Sequence, residues 1–498
     1  QITPGTYTLD DVAGDGLLRI SGGQNIVVDG AGVTAAGTGF KGNHLRIDQA
    51  ENITLRNFAG ASGCFYALYI TNSKNIIIEN CEFSWNKVDS AGWISIWTDY
   101  DQALGGGALL YNVDSALVRN NVMQYQNDGL ALYHCTHIDA RYNDFSWNTS
   151  FGIRMYFSDF NRIYQNDCSH VNRPYTDPSD CAALLMLVSN NNRVENNNLT
   201  YSGDGVIHGQ YQNSNDTNNN YFAYNDCSYS PHNATHLAIA KPLKTAGIAI
   251  DRGFNNTITF NTIRNNPTGI ELWEGSAIAG YAGQTSHDYR IQFNVLEGNA
   301  TAVSLSKTEK TKLIANQLFF NQRGVFTSGQ VQQDTFSFNV FRGTTGYHFE
   351  HTTVLTNIYA AKNLFVAQDS ALIERKILDK NDVAGYGQIL WQPPTPGGPP
   401  QYQGNPQHEL TEWPAQWFAY PEACWAYGFS EPTTVTWDPV IKKAGAAAVH
   451  LRTGNGWDLG LSYHPGGDST CRWSLTDLDT LKMWLRTVRQ MPFGFQFF

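Results

Sequence analysis

Two neighbouring units of this sequence place acidic side chains beside an arginine and a tryptophan. The units read Ala249-Ile-Asp251-Arg252 and Gly269-Ile-Glu271-Leu-Trp273-Glu274. In hydrolysis of a glycosidic bond, one carboxyl group donates a proton to the leaving oxygen and a second carboxylate activates water. We therefore take Asp251, Glu271 and Glu274 as candidate catalytic residues, with Trp273 and Arg252 as substrate contacts. The alternative is that Arg252 only forms a surface ion pair with Glu274.

A second group of residues combines tyrosine, histidine and arginine. Its members are Tyr133, His134, Arg154, Tyr156 and, in a later unit, His208. Such a set suits β-elimination from a uronate, because arginine can neutralise the carboxylate while histidine or tyrosine moves a proton. Counting from Gly205 places His208 on an inward position, so a buried structural histidine is the alternative for that residue.

Two further acids precede strand glycines in the same part of the chain. Asp128 stands before Gly129, and Asp204 stands before Gly205. They are additional candidates for the acid or the base. The alternative is that each caps a turn, which aspartate does readily.

The elements that must position these side chains follow from a repeated Asn-X-apolar unit. It occurs at Asn121, Asn143, Asn166, Asn197, Asn225, Asn261, Asn294, Asn316, Asn339 and Asn363. Each Asn closes a short alternating segment, and a second strand, usually opening on glycine, follows. Five of the nine intervals are 22 to 24 residues, which is too short for a propeller blade and lacks the helix of leucine-rich or ankyrin units. The pattern predicts a parallel β-helix. In it each Asn occupies a left-handed turn position and bonds the Asn of the next coil, about 4.8 Å away.

Alignment of the glycine-led strands predicts which side chains face outward. Counting glycine as zero, positions two and four point away from the core. Position two holds Ala131, Arg154, Leu185, Ala249, Glu271, Ser304, Phe326 and His348. Position four holds Tyr133, Tyr156, Leu187, Asp251, Trp273, Ser306, Ser328 and Glu350. Asp251 and Glu271 are then diagonal neighbours about 7–8 Å apart, within the range of ~6.5–9.5 Å used by inverting glycosidases, although a retaining pair stays open.

The chain divides into three parts on its pattern. Residues 1–375 predict a cap followed by about a dozen coils, interrupted by excursions near 88–105, 171–180, 230–245 and 275–288 that would build walls around a site. Residues 376–430, with the run Gln392-Pro-Pro-Thr-Pro, predict a linker or covering segment. Residues 431–498 predict a β-sandwich with weak similarity to jelly-roll carbohydrate-binding modules, incomplete at Phe498.

Composition restricts the partners and the location. A net charge of -11 disfavours nucleic acid, and the sequence contains no run of apolar residues that would span a membrane. The low charge and the abundance of aromatic and hydroxylated residues favour a secreted or cell-surface protein that binds a polysaccharide or oligosaccharide. None of the eight cysteines has a metal-binding spacing. Cys168 and Cys227 are predicted to face inward, and Cys168–Cys181 and Cys424–Cys471 are candidate disulfides.

The repeats resemble the right-handed parallel β-helix superfamily, which contains pectate lyases, polygalacturonases, alginate epimerases and NosD-type proteins. The resemblance covers about 41–375 and implies a secreted, glycan-acting solenoid. The polygalacturonase motifs are echoed only in Gly203-Asp204-Gly205 and His208-Gly209, and Ser230-Pro-His-Asn233 stands near the Asp-Pro-His-Asp of epimerases without matching it. Neither mechanism is therefore carried over, because fold alone does not define function.

These observations predict an all-β chain: a right-handed parallel β-helix solenoid with a C-terminal, jelly-roll-like β-sandwich. The predicted function is a glycoside hydrolase that needs no cofactor. The first alternative is a polysaccharide lyase or C5-epimerase acting on a uronate-containing glycan, for which carboxylate-bound Ca²⁺ is an option. The second is a non-catalytic glycan-binding or structural solenoid.

Overall fold

The computed structural model describes residues 3–87, 104–172, 181–209, 217–230, 245–273, 285–352, 356–365 and 370–392, together with isolated strands elsewhere. Parallel strands wind into successive coils and form three sheets. We name the sheets A, B and C by their order within each coil, counted from Leu18 onward. The predicted parallel β-helix is confirmed.

Sheet A contains the glycine-led strands. Its members are Leu18–Ser21, Asn43–Asp48, the first halves of Tyr66–Glu79 and Gly106–Arg119, Asp128–Tyr133, Phe151–Tyr156, Ala182–Leu187, Asp204–Gly209, Ala246–Asp251, Thr268–Trp273, Thr301–Glu309, Arg323–Gln332, Phe349–His351 and Ile377–Leu378.

Sheet B follows in each coil. It contains Gln24–Asp29, Glu51–Arg56, the second halves of Tyr66–Glu79 and Gly106–Arg119, Thr136–Arg141, Arg162–Tyr164, Arg193–Glu195, Tyr221–Ala223, Thr257–Thr259, Arg290–Gln292, Lys312–Ile314, Thr335–Ser337, Ile358–Tyr359 and Ile389–Leu390. The short strand Ser286–His287 pairs with the end of Thr301–Glu309.

Sheet C completes each coil and is the shortest of the three. It contains Gly5–Thr8, Val33–Ala36 and Gly60–Ser62 at one end, and Thr262–Arg264, Val295–Glu297, Gln317–Phe319, Val340–Arg342 and Leu364–Phe365 at the other. Single bridges such as Val122 to Asp144 connect the coils between them. A short helix spans Ser370–Glu374, and Asn233–His236 pairs antiparallel with Lys241–Lys244.

The repeated asparagines form a continuous hydrogen-bonded column inside the coils. The Nδ2 atom of each donates to the Oδ1 atom of the next at 2.9–3.1 Å, without interruption from Asn121 to Asn363. Each also donates to a backbone carbonyl, as Asn225 does to Val194 at 2.9 Å. Because these amides are buried, the column satisfies polar groups at a corner that the sheets leave unpaired. The predicted ladder is confirmed.

The left-handed backbone lies one residue earlier than the sequence suggested. Tyr224, Phe260 and Phe293 have φ values of 59°, 57° and 58°, and each precedes a ladder asparagine. The ladder residues themselves are not among the residues with positive φ. Asparagine therefore occupies this corner for its inward-pointing amide, and the turn angle is carried by a neighbour of almost any type.

The core is a stack of aliphatic side chains at alternate positions of the three sheets. In sheet A, Leu132, Met155 and Met186 stand in register, and each is fully buried. Cys168 and Cys227 are buried, as predicted. The proposed Cys168–Cys181 disulfide is wrong, because both are free thiols in the structure. Cys424 and Cys471 lie outside the described residues.

Asp334 occupies a sheet B corner that asparagine fills in earlier coils. It is buried and accepts hydrogen bonds from Thr308 Oγ1 at 2.6 Å and from the backbone N–H of Thr311 at 2.7 Å. Burial raises the pKa of Asp334 to about 7, despite these bonds. The folded state therefore binds this proton more tightly than the unfolded chain does.

Replacement of Asp334 by asparagine should consequently change how stability depends on pH. In the native protein the contribution of Asp334 is fully present below pH ~4 and is lost as the pH rises through about 7, with an upper bound on the order of 4 kcal/mol. We expect Asp334→Asn to raise the thermal midpoint at pH 8 and leave it nearly unchanged at pH 4. Asp15→Asn, at an exposed carboxylate, is the control. Equal shifts at both pH values would contradict the assignment.

The first and last strands of the β-helix can be compared with the bounds predicted from the sequence. The first strands of sheets A and B are Leu18–Ser21 and Gln24–Asp29, near the start of the segment 1–375 that was predicted to form a cap and coils. At the other end, sheets A and B extend to Leu390, beyond the boundary suggested at 375, and the compact units divide at Thr395.

In the second unit, Trp417–Tyr420 pairs antiparallel with Gly460–Tyr463, and Thr434–Asp438 pairs antiparallel with Ala448–Arg452. The predicted arrangement of residues 431–498 as a two-layered β-sandwich stays a prediction. Among the described residues, no helix is long and apolar enough to cross a membrane.

Candidate functional site

The outer face of sheet A carries an apolar strip that runs across several coils. Its buried members are Tyr66, Leu109, Ala131, Tyr133, Tyr156, Leu185, Leu187 and Ile207, with Ala249 and Trp273 packed against them. An outward sheet face in solvent would be polar. This face is therefore the best candidate for a binding surface. The segments predicted to build walls near 88–105, 171–180, 230–245 and 275–288 lie mostly outside the described residues.

The first predicted cluster lies on this face in the predicted register. Asp251 pairs with Trp273, and Ala249 pairs with Glu271, on adjacent strands. Asp251 and Glu271 are thus diagonal neighbours on one face, and Trp273 stands beside Asp251. Glu271 and Trp273 are partly exposed, whereas Asp251 is almost completely buried. Glu274 lies outside the described residues.

Arg252 contacts Asp251, and both side chains are 1% exposed. Its Nε atom lies 3.2 Å from Asp251 Oδ1, and its backbone carbonyl accepts a hydrogen bond from the Tyr289 hydroxyl at 3.0 Å. Arg252 is therefore buried and not the surface residue that the alternative expected, while its expected partner Glu274 lies outside the described residues.

The second predicted cluster is built around a buried ion pair. Arg154 Nη2 lies 2.7 Å from Asp128 Oδ2, and the two side chains are 1% and 0% exposed. The guanidinium carbon lies 5.2 Å from the ring centroid of Tyr133 and 5.8 Å from that of Tyr156. The two tyrosine rings stack at 5.3 Å. Asp128 is thus more than a turn cap, since it is the counter-ion of Arg154.

Tyr66 also belongs to this cluster, although it was not among the residues predicted from the sequence. Its hydroxyl donates to Asp128 Oδ2 at 3.4 Å from two coils away. Gly106 lies between them, and a Cβ there would stand 2.0 Å from the backbone oxygen of Asp128, so the intervening coil has no side chain at this point. Tyr66, Gly106 and Asp128 occupy the same position on three successive coils, with the glycine in the middle. This pattern is visible in the sequence only when the register of all three coils is known.

Burial dominates the electrostatics of the second cluster. It raises the pKa of Tyr66, and the Asp128 carboxylate raises it further. The pKa of Tyr133 is also raised well above its ordinary value by burial. For Arg154, burial alone would lower the pKa, but Asp128 outweighs it and the net shift is upward. The tyrosines are therefore neutral and arginine is charged, so the phenols could donate protons but not remove them.

The remaining candidates are not brought together. His208 lies inside the coil, in register with Met186 and Ile250, and burial lowers its pKa to about 3. It cannot contact a ligand on the outer face, which corrects its assignment as a substrate residue. Asp204 Oδ1 accepts a hydrogen bond at 2.6 Å from the backbone N–H of Ala246 in the next coil, so this bond joins two coils and does not cap a turn. His134 is exposed and stacks on Phe157 at 5.0 Å.

One outward position was placed in the wrong register. His348 was expected at position two, but Glu350 pairs with Phe326 and holds that position. Glu350 forms an ion pair with Arg323 at 3.1 Å. The described residues contain no group of three or more His, Cys, Asp or Glu that could hold a metal ion.

Sequence comparisons agree with the observed coils. The family "Right handed beta helix region" matches residues 106–282, and the family "Periplasmic copper-binding protein (NosD)" matches residues 5–166. The chain belongs to the right-handed parallel β-helix superfamily. Comparison with curated proteins found no significant match.

Several solved structures are similar to the chain. The Azotobacter vinelandii mannuronan C-5 epimerase AlgE6 A-module is 12% identical, with a TM-score of 0.39 and coverage of 78% of this chain and 87% of that one. A mutant of the periplasmic alginate epimerase AlgG is 13% identical, with a TM-score of 0.39 and coverage of 79% and 77%. The Dettilon tailspike protein (gp208) is 10% identical, with a TM-score of 0.38 and coverage of 93% and 74%. No functional residue is transferred from them.

Proposed function

We propose that this protein is a carbohydrate-active enzyme that hydrolyses a polysaccharide bound along the outer face of sheet A. The observation that supports it is the pairing of Asp251 with Trp273 and of Ala249 with Glu271 on adjacent strands. Two carboxylates and an indole thereby share one face, beside an apolar strip. An extended apolar surface with a few convergent polar groups is typical of a ligand site.

The surroundings of the two carboxylates suggest different roles. Asp251 contacts the guanidinium group of Arg252 at 3.2 Å, an arrangement that suits a carboxylate that activates water. Glu271 is partly exposed and can reach a bound glycan, which suits the group that protonates the leaving oxygen. Trp273 offers a flat apolar surface for a sugar ring next to Asp251. The diagonal separation of about 7–8 Å leaves room for a water molecule, as in inverting glycosidases.

A lyase or C5-epimerase is the second candidate, and the Arg154 cluster is the observation that favours it. An arginine beside two stacked tyrosines suits a uronate. However, Arg154 is already neutralised by Asp128 at 2.7 Å, and the neighbouring phenols cannot serve as bases while their pKa values are raised. A net charge of -11 also opposes a polyanionic substrate. We therefore rank hydrolysis of a neutral glycan first.

We also propose that the protein acts outside the cytoplasm, since its substrate class is a polysaccharide. Incubation with galactomannan, mixed-linkage β-glucan, dextran, polygalacturonate and alginate distinguishes the candidates. A hydrolase releases reducing ends from a neutral polymer without new ultraviolet absorbance. A lyase would produce the absorbance of an unsaturated uronate, an epimerase would change the uronate composition without cleavage, and a binding protein would do none of these. Any of the last three outcomes contradicts the proposal.

A further inference from the structure

A column of aromatic rings follows one outer corner of the solenoid, between sheets C and A. Its six members stand on six successive coils and are Trp85, Tyr125, Trp147, His170, Tyr201 and Tyr229. Neighbouring rings are nearly parallel, with centroids 4.2–6.4 Å apart. The column is separate from the carboxylates of sheet A.

The backbone at this corner does not favour large side chains. All six residues have left-handed angles, with φ between 55° and 64°. Bulky residues adopt this region rarely, whereas asparagine accepts it, and Asn265 stands at the equivalent corner of the following coil. Contact between successive rings offsets part of that cost. Each ring is therefore held in place by its neighbours, which makes the column rigid.

The first end of the column is open. Trp85 stacks on Tyr125 at 4.3 Å, and its other face points toward the preceding coil. There Gly63 donates its backbone N–H to the Trp85 carbonyl at 2.9 Å. A Cβ at Gly63 would lie 2.2 Å from the backbone oxygen of Gly37, so this coil has no room for a side chain at that point. Trp85 is 57% exposed, the most of the exposed rings in the column.

The gap above Gly63 has the thickness of one coil, about 4.8 Å, which is the space that a ring fills in each later coil. The backbone N–H of Phe40 donates to the Gly63 carbonyl at 2.9 Å, and Lys87, two residues after Trp85, places its Nζ atom 5.9 Å from the Phe40 ring centroid. The coils that flank the exposed indole therefore also carry a second aromatic ring and an ammonium group that can donate to hydroxyls.

We propose that the open face of Trp85 is a glycan-binding site in which one pyranose ring takes the place of the missing aromatic ring. A pyranose presents an apolar C–H face to the indole and hydroxyls at its rim, which matches this pairing of rings with a nearby donor. The site does not depend on the hydrolytic proposal, because none of its residues belongs to the Asp251–Glu271 cluster. It binds a neutral sugar of a longer glycan chain.

Affinity electrophoresis in native gels that contain galactomannan, mixed-linkage β-glucan or dextran tests this site. We expect at least one of these polymers to retard the native protein, and Trp85→Ala to raise the dissociation constant at least tenfold. Trp85→Phe keeps a ring and should retain most of the binding. Glu350→Gln, which lies outside both proposed sites in an ion pair with Arg323, should bind as the native protein does.

Trp147→Ala is the matched control. Trp147 has the same residue type, corner and left-handed backbone as Trp85, but both of its faces are covered, by Tyr125 and His170. Its replacement should change the dissociation constant by less than twofold. The proposal is overturned if no neutral polymer retards the native protein, if Trp85→Ala binds normally, or if Trp147→Ala loses as much affinity as Trp85→Ala.

Discussion

Glu271→Gln and Asp251→Asn are each expected to lower kcat on the cleaved polysaccharide by about 10²–10⁴-fold, with a smaller change in KM, since a positioned general acid or base contributes a factor of this size. The amides keep the shape of the side chains and remove only the ionisable group. The measurement is the initial rate of reducing-end release from the polymer identified in the substrate panel. The separate loss of activity in both variants would support a two-carboxylate mechanism.

Glu350→Gln is the control for this pair. Glu350 stands at the same outward position of sheet A as Glu271, three coils further on, and forms an ion pair with Arg323. It should retain native kcat and KM. Near-native turnover in both Glu271→Gln and Asp251→Asn would place the catalytic centre elsewhere on the solenoid.

Arg154→Met is expected to lower the free energy of unfolding by about 3–5 kcal/mol, because it leaves the buried Asp128 carboxylate without its arginine. Addition of Asp128→Asn to this variant removes the stranded charge and should restore much of the loss. Thermal and urea denaturation of the two single variants and the double variant give the coupling between the residues. An additive double variant would contradict the role assigned to this pair.

Arg193→Met removes an exposed ion pair, for comparison with the buried pair of Arg154 and Asp128. Arg193 Nη2 lies 2.7 Å from Glu195 Oε1, the same separation as in the buried pair, but its side chain is 56% exposed. We expect a loss of no more than about 1 kcal/mol, because solvent and salt screen an exposed pair. The contrast between two ion pairs of equal length would then measure the effect of burial alone.

The repeated asparagines and the alternation of apolar residues were sufficient to predict most of the β-helix. The spacing of Asn121 to Asn363 identified each coil and the amide column, since a side chain that must bond its copy in the next coil has to recur once per coil. Alternation placed Asp251, Glu271 and Trp273 on the outer face for the same reason, because successive side chains of a strand point to opposite sides. At the strand Phe349–His351 the count from Gly346 failed, because His348 rather than Gly346 aligns with Gly324, and Glu350 therefore holds the position expected for His348.

Other properties were decided only by contacts between coils. No local pattern distinguishes Asp128, a buried counter-ion, from Asp204, which accepts a backbone N–H of the next coil, because the difference lies in Arg154 one coil away from Asp128. Tyr66 joined that cluster only because Gly106 lies between them. The left-handed turns fall beside the ladder asparagines because the amide must point inward, and the open face of Trp85 exists because Gly63 and Gly37 approach too closely for a side chain. The sequence by itself determined the repeat and the faces of its strands, which depend on local periodicity. Burial, ion pairing and the open end of the aromatic column depend on residues far apart in the chain, and only the stacking of coils brings these together.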